Sequence, residues 1–145
     1  MITMKKLIIV PIDDSLNSHQ ALKYACTVAK ETDADIVLIN VQPSYHSTPN
    51  IHRFISSAAI QEYIQETAEE ILEKAIQTIN NQEVHLEKVI RTGIPKVEIT
   101  NLAKERNASH IIMGTRGLGA VKSAFIGSVS LGVLQLATCP VTMVP

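Results

Sequence analysis

The strongest constraint in this sequence is the repeated change of hydrophobic period along the chain. Segments whose apolar residues recur at the 3.6-residue helical period separate five short apolar runs typical of buried strands. These runs are Lys5–Asp13, Asp35–Val41, Val84–Arg91, His110–Met113 and Val141–Val144. The order β-α-β-α-β-α-β-α-β predicts an α/β fold with three layers, in which an open sheet of five parallel strands carries helices on both faces.

The helical segments carry recognisable boundary signals. Asn17 is the expected N-cap of the first helix, because Gln20 three residues later completes a capping-box pattern. The clearest helix keeps apolar residues at i, i+3, i+4 and i+7 from Ile60 to Ile79. Pro95 suits the first position of a third helix, and Ser128–Ala137 forms the fourth. The stretch Pro43–Ser56 is the one long irregular segment.

Length and composition exclude several classes of protein. With 145 residues, of which 46% are hydrophobic and 19% charged, the chain is expected to form one globular domain over residues 1–145. Aromatic residues make up only 3% and the formal net charge is -1, so neither base stacking nor phosphate-backbone binding is indicated, and no nucleic-acid partner is expected. No segment reaches the roughly 20 apolar residues that span a bilayer. Two distant cysteines without a CxxC motif favour a reduced protein. From both observations we expect a cytoplasmic protein without membrane contact.

A glycine-rich stretch after the fourth strand is the strongest functional signal. In open α/β sheets, ligands bind beyond the carboxyl ends of the strands, where the strand order reverses. Gly114 and Gly117 would let a phosphate approach the backbone, and glycine also permits a positive φ. Gly127-Ser128 opens a helix whose first amides have no intrahelical partner, so the helix N-terminus becomes an anion site. Ser130 could add a hydroxyl, and Arg116 a positive charge.

Taken alone, these glycines leave two interpretations open. Glycine-rich loops after strands are often only tight turns. The stretch has neither the G-x-x-x-x-G-K-[ST] spacing of a Walker A loop nor the G-x-G-x-x-G fingerprint of dinucleotide-binding folds. Phosphate binding and a purely structural turn therefore both account for the pattern.

The spacing of the glycines resembles that of one known family. Gly114, Gly117, nine further residues and then Gly127-Ser128 match the pattern G-x2-G-x9-G-[ST] of the nucleotide-binding universal stress proteins. The opening LIIVPIDDS is similar to that family's first strand and acidic turn, and Cys139-Pro140-Val141 to its closing strand. The resemblance extends over the whole chain.

The resemblance implies a strand order of 3-2-1-4-5 and a ligand, ATP, bound alone or with Mg²⁺. This order would make the first and fourth strands neighbours and bring Asp13 and Gly114 into one crevice. Carried over by position, the residues on the adenosine side are Pro11, Ile12, Asp13 and, through its backbone, Val41. Those that form the floor are Met113 and Gly114, and those expected to hold the phosphates are Arg116, Gly117, Gly127, Ser128, Val129 and Ser130.

The residues near this site do not predict a strong catalyst. Phosphoryl transfer needs carboxylates for the metal and a group that positions the nucleophile, and only Asp13 and Asp14 are available. The acidic pair also resembles that of a receiver domain. That class needs an aspartate after the third strand and a lysine after the fifth, whereas here the third strand ends with Arg91-Thr92-Gly93. The sequence therefore does not favour a receiver domain. We therefore expect ATP binding with slow or absent hydrolysis and assign no catalytic or metal-ligating residue. An enzyme that uses bound nucleotide is the weaker alternative.

The last strand predicts how the chain associates. In the implied order this short apolar strand lies at the edge of the sheet, where it invites pairing with another chain. Family members typically dimerise through this strand, so we expect a two-fold homodimer through Val141, Thr142, Met143 and Val144. The resemblance thus implies a nucleotide-dependent regulatory module of the stress response. The alternative is a relative that binds no nucleotide and acts as a protein-interaction module, through its dimer surface or the loop Pro43–Ser56.

Overall fold

The computed structural model describes residues 5–45, 50, 53–80, 83–117 and 125–145. Strands and helices alternate along these residues as the hydrophobic period predicts. The strands are β1 (Lys6–Pro11), β2 (Ala34–Gln42), β3 (Leu86–Thr92), β4 (His110–Gly114) and β5 (Val141–Val144). The helices are α1 (Leu16–Thr32), α2 (Ser57–Gln77), α3 (Pro95–Glu105) and α4 (Ser128–Leu136).

The five strands form a single parallel sheet in the order β3-β2-β1-β4-β5, which confirms the expected order. β1 therefore lies between β2 and β4, and the strand order reverses at this point. β2 pairs with β1 only as far as Pro11↔Ile39, although β2 itself continues to Gln42 beside β3. The protruding end of β2 and the end of β4 form the two sides of a crevice at the carboxyl edge of the sheet.

The core lies in two layers, one on each face of the sheet. Side chains of β2 alternate between them, because successive residues of a strand point to opposite faces. Ile36 and Leu38 pack in the layer formed with α1 and α2, whereas Val37 and Ile39 pack in the layer formed with α3 and α4. Both layers are built of aliphatic side chains, as the scarcity of aromatic residues predicts.

Two local expectations are wrong. Ser15, not Asn17, is the N-cap of α1: its hydroxyl oxygen accepts a hydrogen bond from the Ser18 amide at 3.1 Å. Asn17 instead lies in the first turn of α1 and packs against the end of β4. The second error concerns the end of α2, which stops at Gln77 rather than continuing to Ile79. The long irregular stretch is described only in part, since residues 46–49, 51 and 52 lie outside the described residues.

Candidate functional site

A cavity of about 380 Å³ lies at the carboxyl edge of the sheet, where β1 and β4 diverge. Its volume falls within the range of about 300–1,000 Å³ that is typical of small-molecule sites. All twelve residues selected from the sequence line this cavity: Pro11, Ile12, Asp13, Val41, Met113, Gly114, Arg116, Gly117, Gly127, Ser128, Val129 and Ser130. The fold therefore brings together residues from four separate segments between positions 11 and 130 of the chain.

The α3 side of the cavity and its α1 side differ in chemistry. Ile99 and Met113 belong to the buried aliphatic layer under α3 and α4, and Val129 packs against that layer. On the other face, the buried polar side chains of Ser18 and Asn40 line the cavity. The wall under α3 is therefore apolar and suits the flat face of a ring. The other wall is mixed, because Ile12 and Ile71 lie there beside polar side chains that already make hydrogen bonds within the protein.

The N-terminus of α4 presents to the cavity amides that no described residue pairs. The cap residue Gly127 donates its own amide to the Thr115 carbonyl at 2.6 Å, and Leu131 donates to the Gly127 carbonyl at 2.9 Å. The amides of the three residues between them, Ser128–Ser130, have no intrahelical acceptor, and no side chain caps the helix. The helix dipole adds about half a positive charge at this end, so an anion is favoured here.

Ser130 and Arg116 lie beside these amides. The hydroxyl of Ser130 donates a hydrogen bond to the Gly114 carbonyl at 2.8 Å, which ties α4 to the end of β4. With its proton used in this way, the hydroxyl oxygen faces a ligand only as an acceptor. Arg116 lines the same end of the cavity and provides the positive charge that the sequence indicated.

The glycines of the motif are needed for different reasons. An ideal Cβ on Gly114 would lie 2.8 Å from the Asn17 Cβ and 3.0 Å from the Asn17 carbonyl carbon, so a side chain here would collide with α1. A Cβ on Gly117 would overlap the carboxylate of Asp13. Gly127 has room for a methyl group, since its nearest contact would be the Arg116 Cα at 3.4 Å.

This packing corrects the expected role of Gly114. Its φ is not positive, and the space that it leaves open is filled by α1 rather than reserved for a ligand. The glycine at the end of β4 is thus required by the approach of two secondary-structure elements. A substitution at this position would perturb the fold and cannot serve as a clean test of binding.

The turn after β1 holds Asp13 in a fixed position. The amide and the hydroxyl of Ser15 both donate to Asp13 Oδ1, at 3.1 and 2.5 Å. Asp14 follows with a φ of 70° in the left-handed region, which aspartate tolerates better than most residues. Its carboxylate lies 3.1 Å from the Lys74 ammonium of α2, so Asp14 points away to an ion pair while Asp13 lines the cavity.

The backbone of Val41 faces the cavity. In a parallel strand, alternate residues direct both their N–H and C=O groups to the same neighbouring strand. Ile39 accepts from the Ile12 amide on the β1 side, and Gln42 accepts from the Gly93 amide on the β3 side. Val41 is in phase with Ile39, but β1 has already ended at this level. The Val41 peptide groups therefore point into the crevice rather than to a partner strand.

Sequence reasoning missed several lining residues, of which Asn40 and Gln42 are the most informative. Both are buried, and both belong to a strand that otherwise consists almost entirely of aliphatic residues. A polar residue within such a run is a signal that could have drawn attention to them. The other missed lining residues are Ser15, Ser18, Ile39, Pro43, Ile71, Pro95 and Ile99.

Titratable groups with shifted pKa values lie outside the cavity. A hydrogen bond from Arg106 lowers the pKa of Glu87, and burial lowers the pKa of His110, whose Nε2 lies 2.6 Å from the Thr142 hydroxyl oxygen. Burial raises the pKa of the Cys26 thiol, as expected for an unreactive cysteine on the inner stripe of α1. Within the described ranges, no three His, Cys, Asp or Glu side chains cluster closely enough to hold a metal ion. Nor is any described helix both long and apolar enough to cross a bilayer.

The open parallel sheet, with its cavity at the reversal of strand order and unpaired helix amides beside it, defines a doubly wound α/β protein with an anion-compatible ligand site. Comparison with known proteins makes this class specific. The model of the universal stress protein family matches residues 4–145, and the chain belongs to that family. The universal stress protein YxiE of Bacillus subtilis is 35% identical over 142 residues, which cover 94% of this chain and 96% of the relative.

Solved structures share the fold. Universal stress protein UspA from Lactobacillus plantarum superimposes with a TM-score of 0.80 over 99% of this chain and 100% of its own, at 23% identity. A universal stress protein in complex with cAMP gives a TM-score of 0.67 at 19% identity and covers 97% of both chains. The Archaeoglobus fulgidus protein in complex with dAMP gives 0.67 at 21% identity and covers both chains fully. At these identities the likeness shows the fold alone.

Proposed function

We propose that the chain binds an adenine nucleotide, with ATP as the ligand, in the cavity between β1 and β4, and that it acts as a nucleotide-dependent regulatory module of the stress response. The observation that carries the proposal is that all twelve residues carried over from the family resemblance line one cavity. Two family members of the same fold are complexes with cAMP and dAMP, both of which are adenine nucleotides. The module would be a single domain over residues 1–145, working in the cytoplasm.

The cavity offers suitable groups to each part of ATP. The free amides of Ser128–Ser130, aided by Arg116, would bind the phosphates. The Asp13 carboxylate would accept from a ribose hydroxyl, and the Val41 peptide would bind the polar edge of the base. Aliphatic side chains such as Met113 would contact the ring faces. With Mg²⁺ bound as well, the ATP phosphates and water would supply most of its oxygen ligands.

Slow or absent hydrolysis is part of the proposal. Asp13 is the one carboxylate among the described residues that line the cavity, and its Oδ1 already accepts two hydrogen bonds from Ser15. Phosphoryl transfer needs carboxylates that hold the metal together with a group that positions the nucleophile, and one fixed carboxylate is a poor basis for both roles. Bound ATP would then act by stabilising one form of the protein, at about 2.7 kcal/mol for a hundredfold excess over Kd.

The N-terminus of α4 allows a sharp test of phosphate binding. Ser128 is the first residue of the helix, the position where proline is best tolerated, and Gly127 before it has the extended φ of -78° and ψ of 165° that precedes a proline. Ser128→Pro therefore deletes one free amide with the helix intact, whereas the control Ser128→Ala deletes only the hydroxyl. Titration calorimetry should show ATP binding about tenfold or more weaker in Ser128→Pro than in Ser128→Ala. Equal affinities for the two variants, or no binding of millimolar ATP by the unaltered protein, would refute the assignment.

The proposal includes a homodimer paired through the edge strand β5. Thr115 donates to the Val144 carbonyl and Ile111 to the Pro140 carbonyl, so the peptide groups of Val141 and Met143 face the open edge of the sheet. All four residues of β5 are half-buried, and α4 beside it exposes Leu131 and Leu134. An antiparallel partner strand would satisfy the open backbone groups and cover this apolar surface.

The two kinds of position in β5 provide a matched pair of variants. Met143→Pro removes an N–H that faces the open edge, which an edge strand tolerates, whereas Thr142→Pro removes one directed to β4. Sedimentation analysis should find twice the chain mass of 15.9 kDa for the unaltered protein and the single mass for Met143→Pro, with the monomer still folded. Thr142→Pro should lower the unfolding temperature instead. A monomeric unaltered protein at micromolar concentration would refute the dimer.

A further inference from the structure

The end of β2 carries a chain of buried side-chain amides that the nucleotide motif does not include. The Asn40 Nδ2 donates to the Ile12 carbonyl at 2.8 Å, and the Gln42 Nε2 donates to the Asn40 Oδ1 at 2.7 Å. Asn40 is 3% exposed and Gln42 is 8% exposed, and both line the cavity. A buried polar pair in an aliphatic strand is costly unless its groups are satisfied, so each side-chain amide takes the one orientation that pairs its oxygen and nitrogen correctly.

The Ile12 carbonyl determines how the two amides are oriented. A carbonyl oxygen can only accept, so Asn40 must turn its Nδ2 toward it and its Oδ1 away from it. Gln42 must then present its Nε2 to that oxygen. The amide oxygen of Gln42, Oε1, is left over, and it accepts no hydrogen bond from the described residues.

We infer that Gln42 is a specificity-determining residue, whose amide oxygen accepts a hydrogen bond from a donor group of the bound nucleoside. This inference rests on the proposed nucleotide binding and extends it to the selection of the ligand. Gln42 directly follows Val41, whose peptide groups face the crevice. An acceptor with a fixed orientation favours an amino or hydroxyl group and repels a carbonyl oxygen in the same place.

Two donors of ATP fit this chemistry, and they predict different ligand preferences. One is the 6-amino group of adenine, which is a carbonyl oxygen in the hypoxanthine of ITP. The other is a ribose hydroxyl, which is missing in 2′-deoxy-ATP or 3′-deoxy-ATP. Whichever analogue lacks the contacting donor should bind the unaltered protein more weakly than ATP does.

The experiment compares Gln42→Met with the unaltered protein by titration calorimetry against ATP, ITP and the two deoxy analogues. Methionine keeps the length and the packing of the side chain but cannot accept this hydrogen bond. The substitution should weaken ATP binding about three- to tenfold, but it should not weaken the binding of the analogue that lacks the contacting donor. A deoxy analogue in that role should keep its affinity within about twofold, whereas ITP, relieved of the repulsion, should bind more tightly. The analogue whose binding is not weakened identifies the donor. The control Gln65→Met changes a glutamine exposed on α2, outside the cavity, and should alter none of the four affinities.

Each outcome has a definite meaning. Affinities that fall equally for all four ligands would show a general packing defect at Gln42, and unchanged affinities would show no contact; either overturns the inference while nucleotide binding stands. Failure of the unaltered protein to bind ATP would overturn the proposed function and this inference with it. Affinity ratios between ligands do not depend on the folded fraction of a variant, so the comparison holds even if Gln42→Met is less stable.

Discussion

Replacing Gly114 with alanine should destabilise the fold through one contact. The added Cβ would lie 2.8 Å from the Asn17 Cβ and 3.0 Å from the Asn17 carbonyl carbon, where ordinary carbon contacts are about 3.5–4.0 Å. The two elements would have to separate by about 0.7 Å or more. α1 cannot move freely, because its buried face packs against β1, β2 and β4.

The expected loss of stability follows from these distances. Overpacking of a dense core costs about 1–3 kcal/mol, and the reduced freedom of the unfolded chain with alanine returns about 0.4–1 kcal/mol. The middle of each range, about 2 kcal/mol less about 0.7 kcal/mol, gives a net destabilisation of about 1.3 kcal/mol, which corresponds to a fall in Tm of roughly 3–5 °C for a chain of this size. Thermal unfolding followed by far-ultraviolet circular dichroism measures this shift directly.

Gly127→Ala is the matched control for this prediction. Its added Cβ would approach nothing closer than 3.4 Å, and its φ of -78° suits alanine. The weaker N-cap preference of alanine and the entropy gain in the unfolded chain nearly cancel, so Tm should stay within about 2 °C. If Gly114→Ala unfolds at the same temperature as the unaltered protein, α1 does not approach Gly114 as tightly as the distances indicate. If Tm falls equally in both variants, the loss of stability is not specific to the contact at Gly114.

Three further changes test the neighbouring structure. Ser15→Ala removes the N-cap of α1 and should cost about 1 kcal/mol in urea unfolding, without changing the helix content of the folded state. Asn40→Leu leaves the Ile12 carbonyl without its side-chain donor and should cost about 2 kcal/mol, measured in the same way; no change would mean that the amide chain is not needed for folding. Arg106→Gln removes the hydrogen bond that lowers the pKa of Glu87. A lowered carboxyl pKa stabilises the fold at pH values above the usual pKa of 4.5, and this stabilisation is lost as the pH falls. The variant lacks it, so its stability should fall less than that of the unaltered protein between pH 5 and about pH 3.

The architecture was accessible from the sequence because it depends on local patterns. The β-branched runs and the helical periodicity predicted each of the strands β1–β5 and helices α1–α4 that the structure describes, and the bounds of β5 agree residue for residue with the expected Val141–Val144. Caps and ends were less predictable, because several residues near a helix terminus can provide the same hydrogen bond. Ser15 rather than Asn17 caps α1, because the Ser15 hydroxyl accepts a hydrogen bond from the Ser18 amide while the Ser15 amide donates to the Asp13 carboxylate.

The candidate site was predictable only where a resemblance supplied the strand order. Periodicity alone leaves the order of parallel strands open, and Asp13 and Gly114 are neighbours only because β1 lies beside β4. The amide chain of Asn40 and Gln42 was missed, because the orientation of these buried amides depends on the Ile12 carbonyl, which lies just beyond β1 and far away in the chain.

The hydrophobic period of the chain was enough to specify an α/β fold, and the spacing of its glycines provided the resemblance to the universal stress protein family, whose model matches the chain. Which function each glycine serves was decided by what packs against it. Gly114 makes room for α1 and Gly117 for the Asp13 carboxylate, whereas Gly127 at the start of α4 has room for a methyl group at ordinary contact distance. The physical reason is that a motif records the spacing of small residues along the backbone, whereas the volume that a missing side chain leaves is occupied or empty according to elements far away in the chain.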